Sequence, residues 1–291
     1  MTDAFSKRHP AVNFIFFVAA IGMSVMIQHP WYLLAGVITG GVYYLLLNGK
    51  KGVKTLLGLL PMFLILTLIN PLMNTLGETP LLYLLGRPYT LEALQYGAAL
   101  SSMFVIVVLW FGCYSKVLTG DKFTSLFGSF IPSISLLLVM VFRMVPNFLK
   151  KTRQIVGARK SIGKGADEAA TAKEKLADGM AVLDALTGWA LEGSIVTGDS
   201  MRARGYGVTK RSSFMIYRMT ATDWVLLIVM AALLMLIIGA AASGQLAATF
   251  VPTVQLAPTS WGIVAYICYL LIPTALHIKE NIQWHISRLK I

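Results

Sequence analysis

Charged residues are scarce in this sequence. They make up 13% of 291 residues, where a soluble domain carries about a quarter. That shortage, with 56% hydrophobic residues, excludes an ordinary water-soluble fold. The apolar residues also come in unbroken runs, the pattern of helices surrounded by lipid rather than of helices with one wet face. Cysteine is nearly absent. Cys113 and Cys268 both sit inside apolar runs, which fits inert buried thiols better than a disulfide or a metal site. Acidic residues are half as common as basic ones, 13 against 25. In a soluble chain a net charge of +12 would suggest nucleic acid. Here the basic residues flank the apolar runs, so they report orientation in a bilayer and no nucleic-acid partner is expected.

Several motifs are missing as well. A phosphate loop needs Gly, four residues, Gly-Lys and then Ser or Thr. Around Gly163-Lys164 the first position is Ala158 and the last is Gly165, so the pattern fails twice. No His-Glu-x-x-His occurs, and His9, His29, His277 and His285 lie at or near the ends of apolar runs, as interfacial side chains do. No carboxylate lies clearly inside an apolar run, which leaves little basis for a proton relay or an ion-coupled carrier. No paired nucleophile and base accompanies Ser101, Ser102 or Ser133. The chain is therefore expected to be non-catalytic and to bind no cofactor or metal of its own.

What is present is a set of six spans, at about 12–28, 31–48, 55–70, 94–118, 223–243 and 260–277. Each is long enough to cross about 30 Å of hydrocarbon at about 1.5 Å per residue. Pro61 should kink the third without ending it. The expected fold is all-α: a polytopic membrane protein of about six helices plus a cytoplasmic pair of long helices. Membrane helices 1–4 would occupy 1–130, a cytoplasmic domain 131–222, and helices 5–6 with a cytoplasmic tail 223–291.

Charge tests the layout. With the N-terminus inside, all of the 25 Lys and Arg except Arg87 fall in inside segments, and the loop 244–259 carries no charge. This is the positive-inside pattern, and it puts both termini in the cytoplasm of a multi-pass cell-membrane protein.

Residues 147–220 break the membrane pattern. The run 130–146, with Pro132, Arg143 and Pro146, reads as an interfacial or buried helix leading into the cytoplasmic part. From Met180 to Met201 apolar residues recur at helical spacing (Val182, Leu183, Leu186, Trp189, Ala190, Ile195), giving one greasy face. Gly205 and Gly207 end that helix, where a positive φ is common. A short linking helix is expected near 166–178. At the helix end stands Asp199-Ser200-Met201-Arg202-Ala203-Arg204-Gly205-Tyr206-Gly207. An arginine between small residues can present its planar fork to a partner's carboxylates or carbonyls. The same residues also suit a solvated basic helix end facing the dipole and an anionic leaflet.

Taken together and in order, these segments resemble the transmembrane coupling subunit (T component) of energy-coupling factor importers. His9-Pro10-Ala11-Val12-Asn13-Phe14 resembles the family's lead into its first span. Asn70-Pro71-Leu72 with Gly77-Glu78-Thr79-Pro80 resembles its first long outer loop. Arg143-Met144-Val145-Pro146 resembles the Arg-x-x-Pro that opens its cytoplasmic part, which would make Arg143 and Pro146 a hinge. Trp189-Ala190-Leu191-Glu192 and the stretch from Asp199 to Gly207 resemble its most specific region. The resemblance implies two coupling helices, each ending in an Ala-Arg-Gly-like motif that inserts into one of two homologous ATPase subunits. The second motif falls on Arg202, Ala203, Arg204 and Gly205. The first is degenerate over Ala158, Arg159, Lys160, Ser161, Ile162 and Gly163, with Ile162 where arginine is usual. Either Arg159 or Lys160 supplies the cation there, or the contact is mainly apolar. The resemblance further implies a separate, exchangeable membrane subunit that binds a vitamin or metal, with ATP and magnesium held by the partner ATPases. The alternative is a stand-alone permease or channel with a cytoplasmic regulatory arm.

The charge asymmetry makes a direct prediction. In a background without Cys113 and Cys268, single cysteines at Gly77 and Gly244 should react with an impermeant thiol reagent in intact cells. Cysteines at Gly52 and Lys164 should not, and labelling of the 49–54 loop from outside would overturn the layout.

Overall fold

A computed structural model describes residues 4–74, 77–84, 87–128, 132–164, 171–208, 217–250 and 253–289. In chain order its elements are α1 (Pro10–Met26), α2 (Pro30–Asn48), α3 (Lys50–Met73), β1 (Pro80–Leu84), β2 (Arg87–Thr90), α4 (Leu91–Val117), α5 (Gly120–Gly128), α6 (Pro132–Ser161), α7 (Ala172–Ala203), α8 (Ala221–Ala242), β3 (Ala248–Thr249), β4 (Gln255–Leu256) and α9 (Trp261–Leu289). The fold is all-α, and the chain is a multi-pass membrane protein. Among the described residues five helices are long and apolar enough to cross a bilayer: α2, α3, α4, α8 and α9. The first expected span, α1, is apolar but has 17 residues. At about 1.5 Å per residue it reaches about 25 Å.

Local chemistry sets where these helices begin. Pro10 and Pro30 occupy first-turn positions, where the missing N–H costs nothing and φ is already helical. His9 caps α1 by accepting the Ala11 N–H on Nδ1 at 3.2 Å. Thr90 caps α4 through the Ala93 N–H at 3.4 Å. Asp223 folds back at the start of α8 to accept from the Thr220 N–H and hydroxyl at 3.0 and 2.7 Å.

The chain divides into two compact units. One comprises Met1–Thr119 with Tyr217–Ile291, the other Gly120–Ile216. α5 packs on α6 in the second unit, and Tyr217 meets the His9 ring in the first.

In the membrane unit the first, second, fourth, eighth and ninth helices surround an aromatic core. Phe16 stacks on Tyr269 at 5.2 Å and meets Trp110 edge-on at 5.5 Å, while Tyr43 lies 6.1 Å from Trp110. Lipid tails are as apolar as these side chains, so burial alone cannot choose the inward face; close packing does. Gly97 shows how close. A Cβ there would sit 2.8 Å from the Thr67 carbonyl oxygen and 2.7 Å from Asn70 Cβ. One step along, the Thr67 hydroxyl donates to Ser101 Oγ at 3.0 Å. Away from this seam α3 is mostly exposed. Its Pro61 and Pro71 both lie inside one continuous helix, so Pro61 does not end it.

The N-terminal lead ties the last two membrane helices together. Lys7 pairs with Glu280, and Arg8 donates to Thr222 Oγ1 at 2.6 Å and lies 3.7 Å from Asp223.

Two expectations need correction. Asn70-Pro71-Leu72 resembles part of an outer loop in sequence, yet these residues lie in the last turn of α3, and beyond them β1 and β2 pair as an antiparallel hairpin with Leu81, Leu82 and Tyr83 exposed. No separate linking helix occupies 171–178. A capping box closes on Thr171 and Glu174, and α7 runs unbroken from Ala172; residues 165–170 lie outside the described ones.

The structure also refines the labelling experiment. Gly52 is buried, so a thiol there would be hidden on either side, and exposed Lys51 is the informative position. At Gly77, φ is +141° and a Cβ would lie 2.6 Å from a Glu92 oxygen; exposed Glu78 serves better. The seam gives its own prediction. Gly97→Ala should force α3 and α4 apart and cost about 1–3 kcal/mol. Gly58→Ala, with nothing within 4 Å of its Cβ, should leave thermal unfolding in detergent unchanged or slightly raised, since Ala is the better helix former.

Candidate functional site

The candidate site is carried by the two long helices of the second unit, of 30 and 32 residues. They run antiparallel. Phe148 meets Trp189 edge-on at 5.5 Å, with Lys151 Nζ 5.7 Å over the same ring, and Arg159 Nε donates to Asp178 Oδ1 at 2.5 Å. As the number rises along α6, it falls along α7. Between these contacts Val182 is buried. The seam is thus an aromatic contact with a cation on its face at one end and a half-buried ion pair at the other.

Each helix ends in the same turn. At the end of α6 the Gly163 N–H donates to the Lys160 carbonyl at 3.1 Å and the Lys164 N–H to the Arg159 carbonyl at 3.0 Å. At the end of α7 the Gly205 N–H donates to the Arg202 carbonyl at 2.9 Å and the Tyr206 N–H to the Met201 carbonyl at 3.0 Å. Both patterns are Schellman caps, which need a left-handed residue. Gly163 supplies φ +71° and Gly205 φ +78°. Superposing the turns puts Lys160 with Arg202, Ser161 with Ala203, Ile162 with Arg204 and Gly163 with Gly205. The turn itself is ordinary, since α8 closes on Gly244 in the same way. The chemistry lies in the residue before the glycine, Ile162 in one and Arg204 in the other, and both side chains are exposed.

The sequence-derived candidates can now be placed. Arg202, Ala203 and Arg204 are exposed on the last turn of α7, with Gly205 half-buried behind them. Ala158, Lys160, Ser161 and Ile162 are exposed at the end of α6, and the Ser161 hydroxyl donates to the Gly157 carbonyl at 3.0 Å. Arg159 is different. It is half-buried against Asp178, so its guanidinium joins the two helices to each other. Arg143 and Pro146 are exposed within α6, which continues through both. Pro146 cannot donate to the Phe142 carbonyl, so one rung of the ladder is missing there, but the helix does not end.

Sequence reasoning missed Asp178, because nothing in a linear pattern says which residue faces Arg159 across an antiparallel pair. It also passed over Glu92 and Asp223, both buried in the first turns of membrane helices. Glu92 accepts from the Thr79 hydroxyl at 2.7 Å. The Thr-x-x-Asp spacing of Thr220 and Asp223 is a readable cap signal. Among the described residues no three His, Cys, Asp or Glu side chains gather where an ion could be held in common. His29 instead bonds the Ala257 carbonyl through Nε2 at 3.1 Å.

The membrane unit holds a cavity of about 830 Å³ between α2, α3, α4 and the side chains of Phe250, Val254 and Leu256. Leucine, valine and phenylalanine line most of it, with Gln95 and Ser102 among them. Such walls suit an apolar occupant and offer little to a polar nutrient. No model of a known protein family matches the chain, and no curated protein matches it either.

The ion pair yields a prediction for the helix pair. Arg159→Glu should place like charges together and loosen the end of α6 by about 1 kcal/mol, about fivefold in amide exchange over 155–163. Arg159→Glu with Asp178→Arg should restore the wild-type rate. Equal exchange in all three proteins would mean that the pair holds nothing together.

Proposed function

We propose that this chain is the membrane-embedded coupling subunit of an ATP-driven importer of the energy-coupling factor type, set in the cell membrane with both termini cytoplasmic. The observation that carries the reading is that α6 and α7, packed as one antiparallel pair, each end in a capped turn with an exposed side chain before its glycine, Ile162 on one and Arg204 on the other. An antiparallel pair presents its two C-terminal turns at opposite ends. From the level of Glu174, beside the end of α6, to Gly205 the distance is on the order of 45 Å at 1.5 Å per residue. Two related partners gripping two related turns is what such an arrangement suits. The order of segments that resembles this family, from His9-Pro10 through Trp189 to Tyr206-Gly207, supports the same reading.

The physical requirement is a stiff lever whose ends make different contacts in the two states of the ATPase pair. Arg204 would enter a groove of one ATPase and offer its fork to carboxylates or carbonyls there. At the other end Ile162 and Lys160 would make the contact, since Arg159 already holds Asp178. ATP and magnesium would be bound by the ATPases. Closure of the ATPase pair would move the two ends relative to one another and pass the motion to a separate substrate-binding membrane subunit. The apolar cavity of the membrane unit is the observation that favours the rival reading, a permease for an apolar compound.

Stepwise reconstitution in liposomes separates the two. The chain alone should neither hydrolyse ATP nor take up solute. Adding two ATPases should give a stable three-chain unit that hydrolyses ATP, and uptake should appear once a substrate-binding membrane subunit is added. Arg204→Glu should abolish uptake at normal protein level, because breaking a buried charge-assisted contact costs roughly 2–5 kcal/mol. Transport by the chain alone, driven by an ion gradient, would establish the permease instead.

A further inference from the structure

The outward face of α6 carries a second kind of surface. This helix bears Arg143, Lys150, Lys151, Arg153, Arg159 and Lys160 and no acidic residue. Its partner α7 bears Glu174, Asp178, Asp184, Glu192 and Asp199, so the basic excess belongs to α6 alone. Lys151 and Arg159 point at α7, where they meet Trp189 and Asp178. Arg143, Lys150 and Arg153 are exposed and make no ion pair with a described residue.

At 100° per residue these three fall within about 80° of arc. Directly beside them, within about 60°, lie Phe142, Val145, Leu149 and Val156. Phe142 is 54% exposed, Val145 50% and Leu149 58%, large apolar side chains left half uncovered by the described residues, with Gly120 beside one edge of the Phe142 ring. The two stripes meet in a shallow hollow formed by Pro146, Leu149, Lys150, Arg153 and Gln154.

We propose that this face of α6 lies against an anionic phospholipid leaflet. Phe142, Val145 and Leu149 enter the acyl boundary, and Arg143, Lys150 and Arg153 pair with headgroup phosphates. Two adjacent stripes, one apolar and one uniformly basic, are what an interfacial helix presents to an anionic bilayer. A nucleic acid would match the charge and leave the apolar stripe wet. A multi-pass chain also keeps a bilayer always at hand, so no encounter cost opposes the contact. The inference needs the chain's membrane character and not the ATPase reading, and it is tested without any ATPase.

The test uses the full chain in nanodiscs of phosphatidylcholine mixed with phosphatidylglycerol of the same acyl chains. Native mass spectrometry then counts the lipids that remain bound. The wild type should retain phosphatidylglycerol in preference, and raising the salt before ejection should weaken that preference. In R143Q/K150Q/R153Q the preference should fall by on the order of fivefold for each residue removed. The charge-matched control K164Q/K173Q/K175Q should keep the wild-type preference. Equal retention of the two lipids by the wild type, or an equal fall in both variants, would overturn the proposal. All six side chains are exposed, and circular dichroism checks that each variant remains helical.

Discussion

Every helix in this chain must satisfy its own backbone at both ends, and much of the structure follows from how it does so. In hydrocarbon an unpaired N–H or C=O costs several kcal/mol, so helices that cross it close their own hydrogen bonds and carry their caps to the boundary. Prolines at the first turns of α1 and α2 remove donors that would have no partner. Thr90, Thr171 and Thr220 start the next helices with side-chain oxygens or with a carboxylate folded back. Glycines at positive φ close α6, α7 and α8. The buried carboxylates Glu92 and Asp223 belong to the same set, because a first turn is where a negative charge is both hydrogen-bonded and favoured by the helix dipole.

The two units solve the packing problem differently. In the membrane unit the solvent is itself apolar, so ring geometry and the missing Cβ of Gly97 select the contacts. In the second unit α6 and α7 meet through an indole, a cation and an ion pair, with the apolar side chains only half covered. A seam of that kind fixes register more than it adds stability, because the ion pair and the ring contact each allow one alignment.

The membrane spans were legible because unbroken apolar runs have no other use, and Pro61 inside a run was rightly expected not to end it. The left-handed Gly205 was legible from its place after a periodic stretch. The hairpin at 80–90 was not. Leu81, Leu82 and Tyr83 are all apolar, so no alternation marks a strand, and the pairing comes from backbone bonds that sequence does not display. The expected linking helix failed for a related reason. Strong helix formers at 172–178 are equally good inside a longer helix, and only the Thr171–Glu174 cap says where that helix starts. At the first motif the sequence left Arg159, Lys160 and an apolar contact open. Arg159 drops out as a free cation because its carboxylate partner lies on another helix.

The matched turns with unmatched side chains give the helix pair a polarity. Its backbone ends alike on both sides, as a rod with two equal sockets would. The residue set in each socket differs: a guanidinium at one end, a sec-butyl group at the other. The two ends of the rod are therefore distinguishable, and exchanging Ile162 with Arg204 would reverse that difference while leaving the rod's backbone where it is.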